Sequence, residues 1–267
     1  MGEKKLQRRD FLKLSATGIA LTVVGRSMGR QGAATPAASS GHGTAAAGAH
    51  KWAMVIDQSK CVGCEQCVFA CQAHNDVAPG QEWTRIEHDE TLAGADVYLP
   101  VPCQQCQDAP CVDVCPVKAN RIRDDGIVTI DYDRCIGCRY CQIACPYDAR
   151  RFNWEQFSGE NPSVPAWGQP EVARRPRGVV EKCSFCYQRI DRGLAAGLTP
   201  GVDQMATPAC VVACPTGARI FGDLNDPDSK VSQVLRTHPS YRLREELGTE
   251  TRVYYLPADD MAKEVAS

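Results

Sequence analysis

Residues 125–152 read DGIVTIDYDRCIGCRYCQIACPYDARRF, and the cysteines at 135, 138, 141 and 145 decide how the whole chain is read. Three thiols at two-residue intervals can wrap one loop around a single metal core. The fourth thiol comes three residues later, on a turn that heads away, and Pro146 fixes the new direction. Working outward, the pattern recurs. Cys61, Cys64, Cys67 and Cys71 form C-x2-C-x2-C-x3-C. Cys103, Cys106, Cys111 and Cys115-Pro116 form C-x2-C-x4-C-x3-C-P. Cys183 and Cys186 are followed, after a long gap, by Cys210 and Cys214-Pro215. These four groups use all 16 cysteines of the 267 residues without remainder.

Zinc sites usually pair two C-x2-C knuckles or mix Cys with His, and a three-cysteine run is neither. Structural disulfides call for no fourfold motif, and adjacent C-x2-C pairs would be redox-active. The five histidines (His42, His50, His74, His88, His238) show no ligand spacing and read as solvated or hydrogen-bonded imidazoles. Iron–sulfur ligation fits best: Cys135 to Pro146 matches the bacterial ferredoxin run residue for residue, and in two-cluster ferredoxins each run gives its fourth cysteine to the other cluster. Cross-ligation then assigns every thiol. Cluster 1 takes Cys61, Cys64, Cys67 and Cys214; cluster 2 takes Cys103, Cys106, Cys111 and Cys145. Cluster 3 takes Cys115, Cys135, Cys138 and Cys141; cluster 4 takes Cys71, Cys183, Cys186 and Cys210. The outer pairing rests on pseudo-symmetry, and Cys71 and Cys214 facing one cluster would overturn it.

The fold class that follows is α+β, with two ferredoxin-like modules of two 4Fe–4S clusters each, one inserted in the other, little regular secondary structure and long loops. Residues 100–150 form the inner module, and residues 50–99 with 151–230 the outer one. Between Cys115 and Cys135, Asp124-Asp125-Gly126 separates two short β-prone runs, which predicts a hairpin. Lys51–Asp57 (KWAMVID) is expected as a strand entering the outer module, with Ala218–Phe221 as its mate. Two insertions, Arg151–Lys182 and Tyr187–Ala209, lack strong periodicity and read as ordered surface loops that either dock a partner or cover the clusters. Residues 231–267 are a C-terminal extension with a short helix near Val231–Leu235, capped by Asp228 or Ser229.

Residues 1–49 are a different kind of sequence. A basic stretch precedes LSATGIALTVVG (Leu14–Gly25), an apolar run of 12 that is shorter than the ~20 residues a membrane span needs. Arg8-Arg9-Asp10-Phe11-Leu12-Lys13 resembles the twin-arginine export signal. Gln7 stands where Ser or Thr is usual. Gly32–Ala49 reads as a flexible linker with small-residue sites such as Ala47-Gly48-Ala49. The segment carries seven basic and two acidic residues, and the remainder 23 and 30, so the formal charge shifts from −2 to −7 without it. That balance argues against nucleic acid as a partner. Overall, 23% charged and 43% hydrophobic residues exclude a mainly disordered chain and a polytopic membrane protein.

Several stretches together resemble the four-cluster iron–sulfur subunits of the dimethyl sulfoxide and polysulfide reductase family. They are CVGCEQCVFAC (61–71), CQQCQDAPCVDVCP (103–116), residues 125–152, EKCSFC (181–186) and PACVVACPTGARIFGDLNDPDS (208–229). The nearest likeness is to exported relatives associated with nitrite reductase, tetrathionate reductase and sulfite reduction. The resemblance implies an electron-transfer subunit with four 4Fe–4S clusters and no substrate pocket. Its implied partners are an integral membrane quinone-reactive subunit and a molybdopterin catalytic subunit or multihaem cytochrome. It also implies use of the twin-arginine export machinery, with Arg8 and Arg9 as signal, and a place in the periplasm or on the outer face of the cytoplasmic membrane, peripheral to a membrane complex. The alternatives are a free soluble periplasmic ferredoxin and, less favoured, an enzyme, for which the sequence offers no GxGxxG, no P-loop and no spare cysteine. Each oxidised cluster adds about −2, and Lys118, Arg139, Arg150, Arg151 and Lys182 are the basic residues near the motifs that can offset it.

Overall fold

A computed structural model describes residues 50–90, 94 and 96–258. The twin-arginine reading at Arg8 and Arg9 and the linker reading lie outside the described residues. Three strands form the central sheet. Strand β1 (Trp52–Asp57) lies in the middle, antiparallel to β8 (Arg219–Asp223) and parallel to β9 (Val253–Leu256). All six residues of β1 are buried, because both faces of the sheet are covered. Side chains alternate along a strand. Trp52, Met54 and Ile56 face the cysteine-bearing core, while Ala53 and Val55 meet Val231 and Leu256 on the other side. Ser229 caps helix α6 (Lys230–Thr237), its hydroxyl accepting the Ser232 N–H at 3.2 Å. Residues 231–256, set apart above as an extension, thus supply most of that helix and the third strand of the sheet.

The cysteines sit on four copies of one local design. Each C-x2-C turn has its third residue in the left-handed region: Gly63, Gln105, Gly137 and Phe185 at φ of 66°, 48°, 67° and 53°. The C-x3-C spacing that follows spans helix in every copy. These are α1 (Gln66–Asn75) and the one-turn helices α2 (Pro110–Asp113), α3 (Tyr140–Ile143) and α5 (Ala209–Val212). Four residues of helix advance about 6 Å along the axis, which separates the site of the third thiol from that of the fourth. After the helix, the three C-P turns repeat again. Lys118, Asp148 and Gly217, each three residues past its cysteine, share φ values of 52°, 47° and 66°.

Strands β4 (Asn120–Ile122) and β5 (Val128–Ile130) form the expected hairpin across Asp124–Gly126. A second hairpin, β2 (Thr84–Glu90) with β3 (Asp96–Pro102), was not foreseen, since TRIEHDE shows no apolar alternation. The insertion 151–182 is closed at its base by a two-residue ladder, β6 (Arg151–Phe152) with β7 (Val180–Glu181). It lies over α1: Asn161 Nδ2 donates to Gln72 O at 2.9 Å, and Arg174 forms an ion pair with Asp76 at 2.9 Å.

The reading of Tyr187–Ala209 as loop is corrected. It holds helix α4 (Tyr187–Ala195) and a 3-10 turn at Gln204–Ala206. Tyr187, Ile190 and Leu194 recur at helical spacing on α4, but its buried residues are Arg189, Ile190 and Gly193 and Leu194 is exposed, so its core side includes an arginine and a glycine. Arg189 is buried because Glu171 and the carbonyls of Thr207 and Gln204 satisfy its guanidinium. Gly193 is required by contact: a Cβ there would stand 2.2 Å from Ala206 Cβ. Among the described residues no helix is long and apolar enough to cross a membrane.

Candidate metal centres

Two cavities have cysteines as their shared lining. Cys61, Cys64, Cys67 and Cys214 line one, with Pro100, Thr216 and Arg219. Cys103, Cys106, Cys111 and Cys145 line the other, with Val128, Tyr147 and Arg150. Their volumes, counted with the solvent at their mouths, are alike at about 330 and 320 Å³, so two different parts of the sequence build similar clefts. A third group is seen in electrostatics: the neighbours acting on buried Cys71 are Cys186, Cys183 and Cys210. Cys214 and Cys71 therefore face different groups. Cys115 lies next to α2 and Cys141 on α3, and these two one-turn helices pack together.

Zinc bound by four thiolates would bring sulfurs to about 3.8 Å of one another. Among the described residues no three His, Cys, Asp or Glu side chains gather around a single-ion position. The thiols of the first two groups instead line the two cavities described above. The four histidines among the described residues have hydrogen-bond partners elsewhere: His50 with Asp223, His74 with Glu171, His88 with Asp96, and His238 with Thr237.

The charge state of the thiols points to a bound metal core. Burial pushes Cys71 well above its ordinary value, and the other three thiols of its group add to that. Burial pushes Cys183 and Cys106 up to about 12, in both cases with Cys103 as the next contribution. Burial also raises Cys186, Cys210, Cys111 and Cys145. Left to themselves these thiols stay protonated at neutral pH, and only a bound cationic core makes them thiolates. Cys115 and Cys214 differ. Burial would raise both, but the backbone N–H groups of Asn120, Ala119 and Val117 outweigh it at Cys115. At Cys214 the Thr216 hydroxyl and the N–H groups of Arg219, Ala218 and Thr216 do the same. Successive N–H groups around a left-handed residue form an anion-binding nest of the kind used by iron–sulfur sites.

Of the basic residues singled out in the sequence, Lys118 and Arg139 are exposed, and Arg139 stacks on Trp154 with its guanidinium carbon 4.5 Å from the ring centre. Arg151 is occupied by Asp148. Arg150 and Lys182 are buried beside the cysteine groups. Arg219 was missed. It was legible as a repeat, because Cys145-Pro-Tyr-Asp-Ala-Arg150 and Cys214-Pro-Thr-Gly-Ala-Arg219 share C-P-x-x-A-R.

Comparison with known proteins adds identity to this geometry. A 4Fe-4S dicluster domain family matches residues 95–161, and a 4Fe-4S binding domain family matches residues 52–73. A Halobacterium salinarum protein, provisionally named as the iron-sulfur subunit of a dimethyl sulfoxide reductase, is 45% identical, over 77% of this chain and 78% of its own. The iron-sulfur cluster-binding subunit of menaquinone reductase from Nitratidesulfovibrio vulgaris is 42% identical, over 77% and 88%. The B component of polysulfide reductase from Wolinella succinogenes is 36% identical, over 78% and 95%. With cysteine-lined sites that fit 4Fe–4S clusters and relatives of this identity over most of their length, the chain belongs to the iron–sulfur subunits of the dimethyl sulfoxide and polysulfide reductase family.

Proposed function

We propose that the chain carries four 4Fe–4S clusters on the ligand sets assigned above and works as an electron wire. It joins a quinone-reactive membrane subunit to a catalytic molybdopterin subunit or a cytochrome. The observation that carries this reading is the fourfold recurrence of the left-handed C-x2-C turn, at Gly63, Gln105, Gly137 and Phe185, each followed by a helix between the third and fourth thiols. The same reading takes residues 100–150 as a module inserted into another that β1 and β8 close.

Electrostatic neighbours in different groups support a linear order. Cys67 of the first set acts on Cys210 of the fourth, and Cys103 of the second acts on Cys183 of the fourth. Arg150 feels both Cys111 of the second set and Cys141 of the third. The order is therefore 1–4–2–3. The ends of this row carry the exposed thiols Cys64 and Cys138. They also carry exposed apolar residues at matching positions, Val62 and Ile136 at 57% and 64% exposure, joined near the second end by Tyr140, Ile143 and Trp154. Apolar surface around an electron outlet suits partner docking. The chain itself contributes ligation, burial and N–H donors, which set potentials, and the bound clusters supply the redox chemistry. Export through the twin-arginine signal at Arg8 and Arg9 would place the wire on the outer face of the cytoplasmic membrane.

The test is metal analysis of the protein isolated anaerobically with its partners. About 16 iron atoms per chain are expected from four cubanes, beyond any partner haem. Accompanying molybdenum or tungsten identifies a molybdopterin partner. Recovery as a lone soluble monomer would favour a free carrier, and two or more zinc ions with little iron would overturn the reading. Retention in the cytoplasm of a chain with Arg8→Lys and Arg9→Lys checks the export signal.

A further inference from the structure

Six cations are buried among the described residues, and three of them, Arg150 at 1%, Lys182 at 2% and Arg219 at 4% exposure, lie against residues of the cysteine groups. Burying a charge without an opposite charge is strongly unfavourable. Yet among the described residues none of the three forms an ion pair with a carboxylate. Buried Glu181, adjacent to Lys182 in sequence, is taken by Arg175 at 2.6 Å. The counter-charge has to come from elsewhere, and each cation lies between two cysteine groups.

Arg219 lines the cavity of Cys61, Cys64, Cys67 and Cys214. Its Nη1 also points at Cys210 Sγ, 3.9 Å away in the next group, while Nη2 donates to Thr84 Oγ1 at 3.0 Å. Lys182 Nζ donates to Cys183 O at 2.8 Å and, by a short bond, to Val128 O. Cys183 belongs to the fourth group, and Val128 lines the cavity of the second. Arg150 lines that same cavity and feels the charge of Cys111, of Cys141 of the third group and of Cys103; Cys111 and Cys141 lie on the two one-turn helices that pack together. Its Nη1 donates to Asn120 Oδ1 at 2.8 Å, but Nη2 is buried with no partner. An orphaned donor on a buried guanidinium beside four thiols is what a cluster sulfide or cysteine sulfur would satisfy.

We propose that Arg219, Lys182 and Arg150 are one cation per junction of the four-cluster row, each raising the reduction potential of the two clusters it separates. The proposal rests on the four-cluster reading. Arg219 serves clusters 1 and 4, Lys182 clusters 4 and 2, and Arg150 clusters 2 and 3. Two of the three follow from the internal repeat, since Arg150 and Arg219 occupy the same position of C-P-x-x-A-R, just past the left-handed residues Asp148 and Gly217. The third junction lies between modules, where the repeat offers no position, and Lys182 fills it from the end of β7. Cys115-Pro-Val-Lys-Ala-Asn120 carries a neutral residue at the equivalent place, and that Asn120 holds the Arg150 guanidinium. A reduced cluster carries one more negative charge than an oxidised one, so a fixed cation in a low-dielectric setting favours the reduced form.

The experiment is a potentiometric titration, followed by electron paramagnetic resonance, of the anaerobically purified holoprotein and of Arg219→Gln, Lys182→Gln and Arg150→Gln. Signals are assigned to sites with Cys64→Ser and Cys138→Ser. Each neutral variant is expected to shift the reduction equilibrium of its two flanking clusters at least tenfold toward oxidised, a fall of about 59 mV for one electron. The other two clusters stay fixed. Arg219→Lys and Arg150→Lys, which keep the charge, are expected to restore most of the shift. Unchanged potentials in iron-replete neutral variants, equal shifts at all four clusters, or Lys variants that fall as far as Gln variants would each overturn the proposal. If a Gln variant fails to take up iron, the Met variant at the same position, which fills the space without the charge, is read in its place. A fall confined to the two flanking clusters supports the proposal, and no change or a fall elsewhere overturns it. Fewer than four clusters in the wild-type protein would instead refute the four-cluster reading itself.

Discussion

The thiols of Cys61, Cys64, Cys67 and Cys214 and those of Cys71, Cys183, Cys186 and Cys210 hang from the same repeated turn and share helix α1, yet they live in opposite environments. In the first group only Cys67 is buried and Cys64 is exposed. In the second all four are buried, and burial drives their titration upward. The local fold fixes how a cluster is gripped. What is laid over it fixes whether electrons can leave there. The 151–182 loop and α4 cover the second group, while the first keeps an open side at Val62.

The largest effect that can break this comparison is loss of a ligand. Cys210→Ala is expected to leave a cavity with three buried thiols and no core to ionise them, and the holoprotein should fail to accumulate. Cys64→Ser, at the exposed end, should still give a folded protein retaining about 12 of about 16 iron atoms. Iron and sulfide counts on both variants check this, and equal loss would erase the distinction. Next comes the cover. Arg175→Gln leaves Glu181 buried at 2% exposure without its cation, which is expected to cost about 3–5 kcal/mol, read by denaturant unfolding of the loaded protein. A third variant pair sharpens the contrast between the two open ends. A Cβ on Gly137 meets Gly178 O at 2.1 Å, whereas on Gly63 it meets only the Tyr98 ring. Backbone strain is shared, so Gly137→Ala should be the more destabilising by roughly 1–3 kcal/mol; chemical denaturation compares them.

The smallest expected effect is pH dependence of the cover. Burial would raise the Glu171 carboxyl, but Arg192, Arg189 and His74 outweigh it and hold it below the usual carboxylate range. A depressed folded-state value contributes stability above the unfolded carboxylate pKa, about 4.3, and that contribution is lost as pH falls through the folded value. Glu171→Gln should remove this acid sensitivity. Hydrogen exchange in α4 between about pH 5 and about pH 3 is the measurement, and an unchanged profile would sink the assignment.

The cysteine framework, the β4–β5 hairpin, the β1 and β8 stretches and the Ser229 cap were legible because each depends on neighbours in sequence. Helix α4 was not, because its buried stripe uses Arg189 and Gly193, whose partners Glu171 and Ala206 come from elsewhere. The β2–β3 hairpin was hidden by the charged face of TRIEHDE. Arg219 was visible as part of a repeated hexapeptide, but its burial between two groups depends on β8 reaching β1. Lys182 was noted for its place beside Cys183, and its contact with Val128 O joins residues that only the fold brings together.

Strand β1 also has a history in time. It is the first strand of the described chain to leave the ribosome, yet it takes the centre of its sheet, between β8 and β9. Met54 N–H waits for the carbonyl of Arg252, and the loop after Cys103 waits for the same closing segment: Arg252 N–H donates to Gln104 O and Gln107 N–H to Glu250 O. Synthesis order and completion order therefore run in opposite directions. A nascent chain stalled before residue 249 would hold all sixteen thiols while its oldest strand still lacked a neighbour.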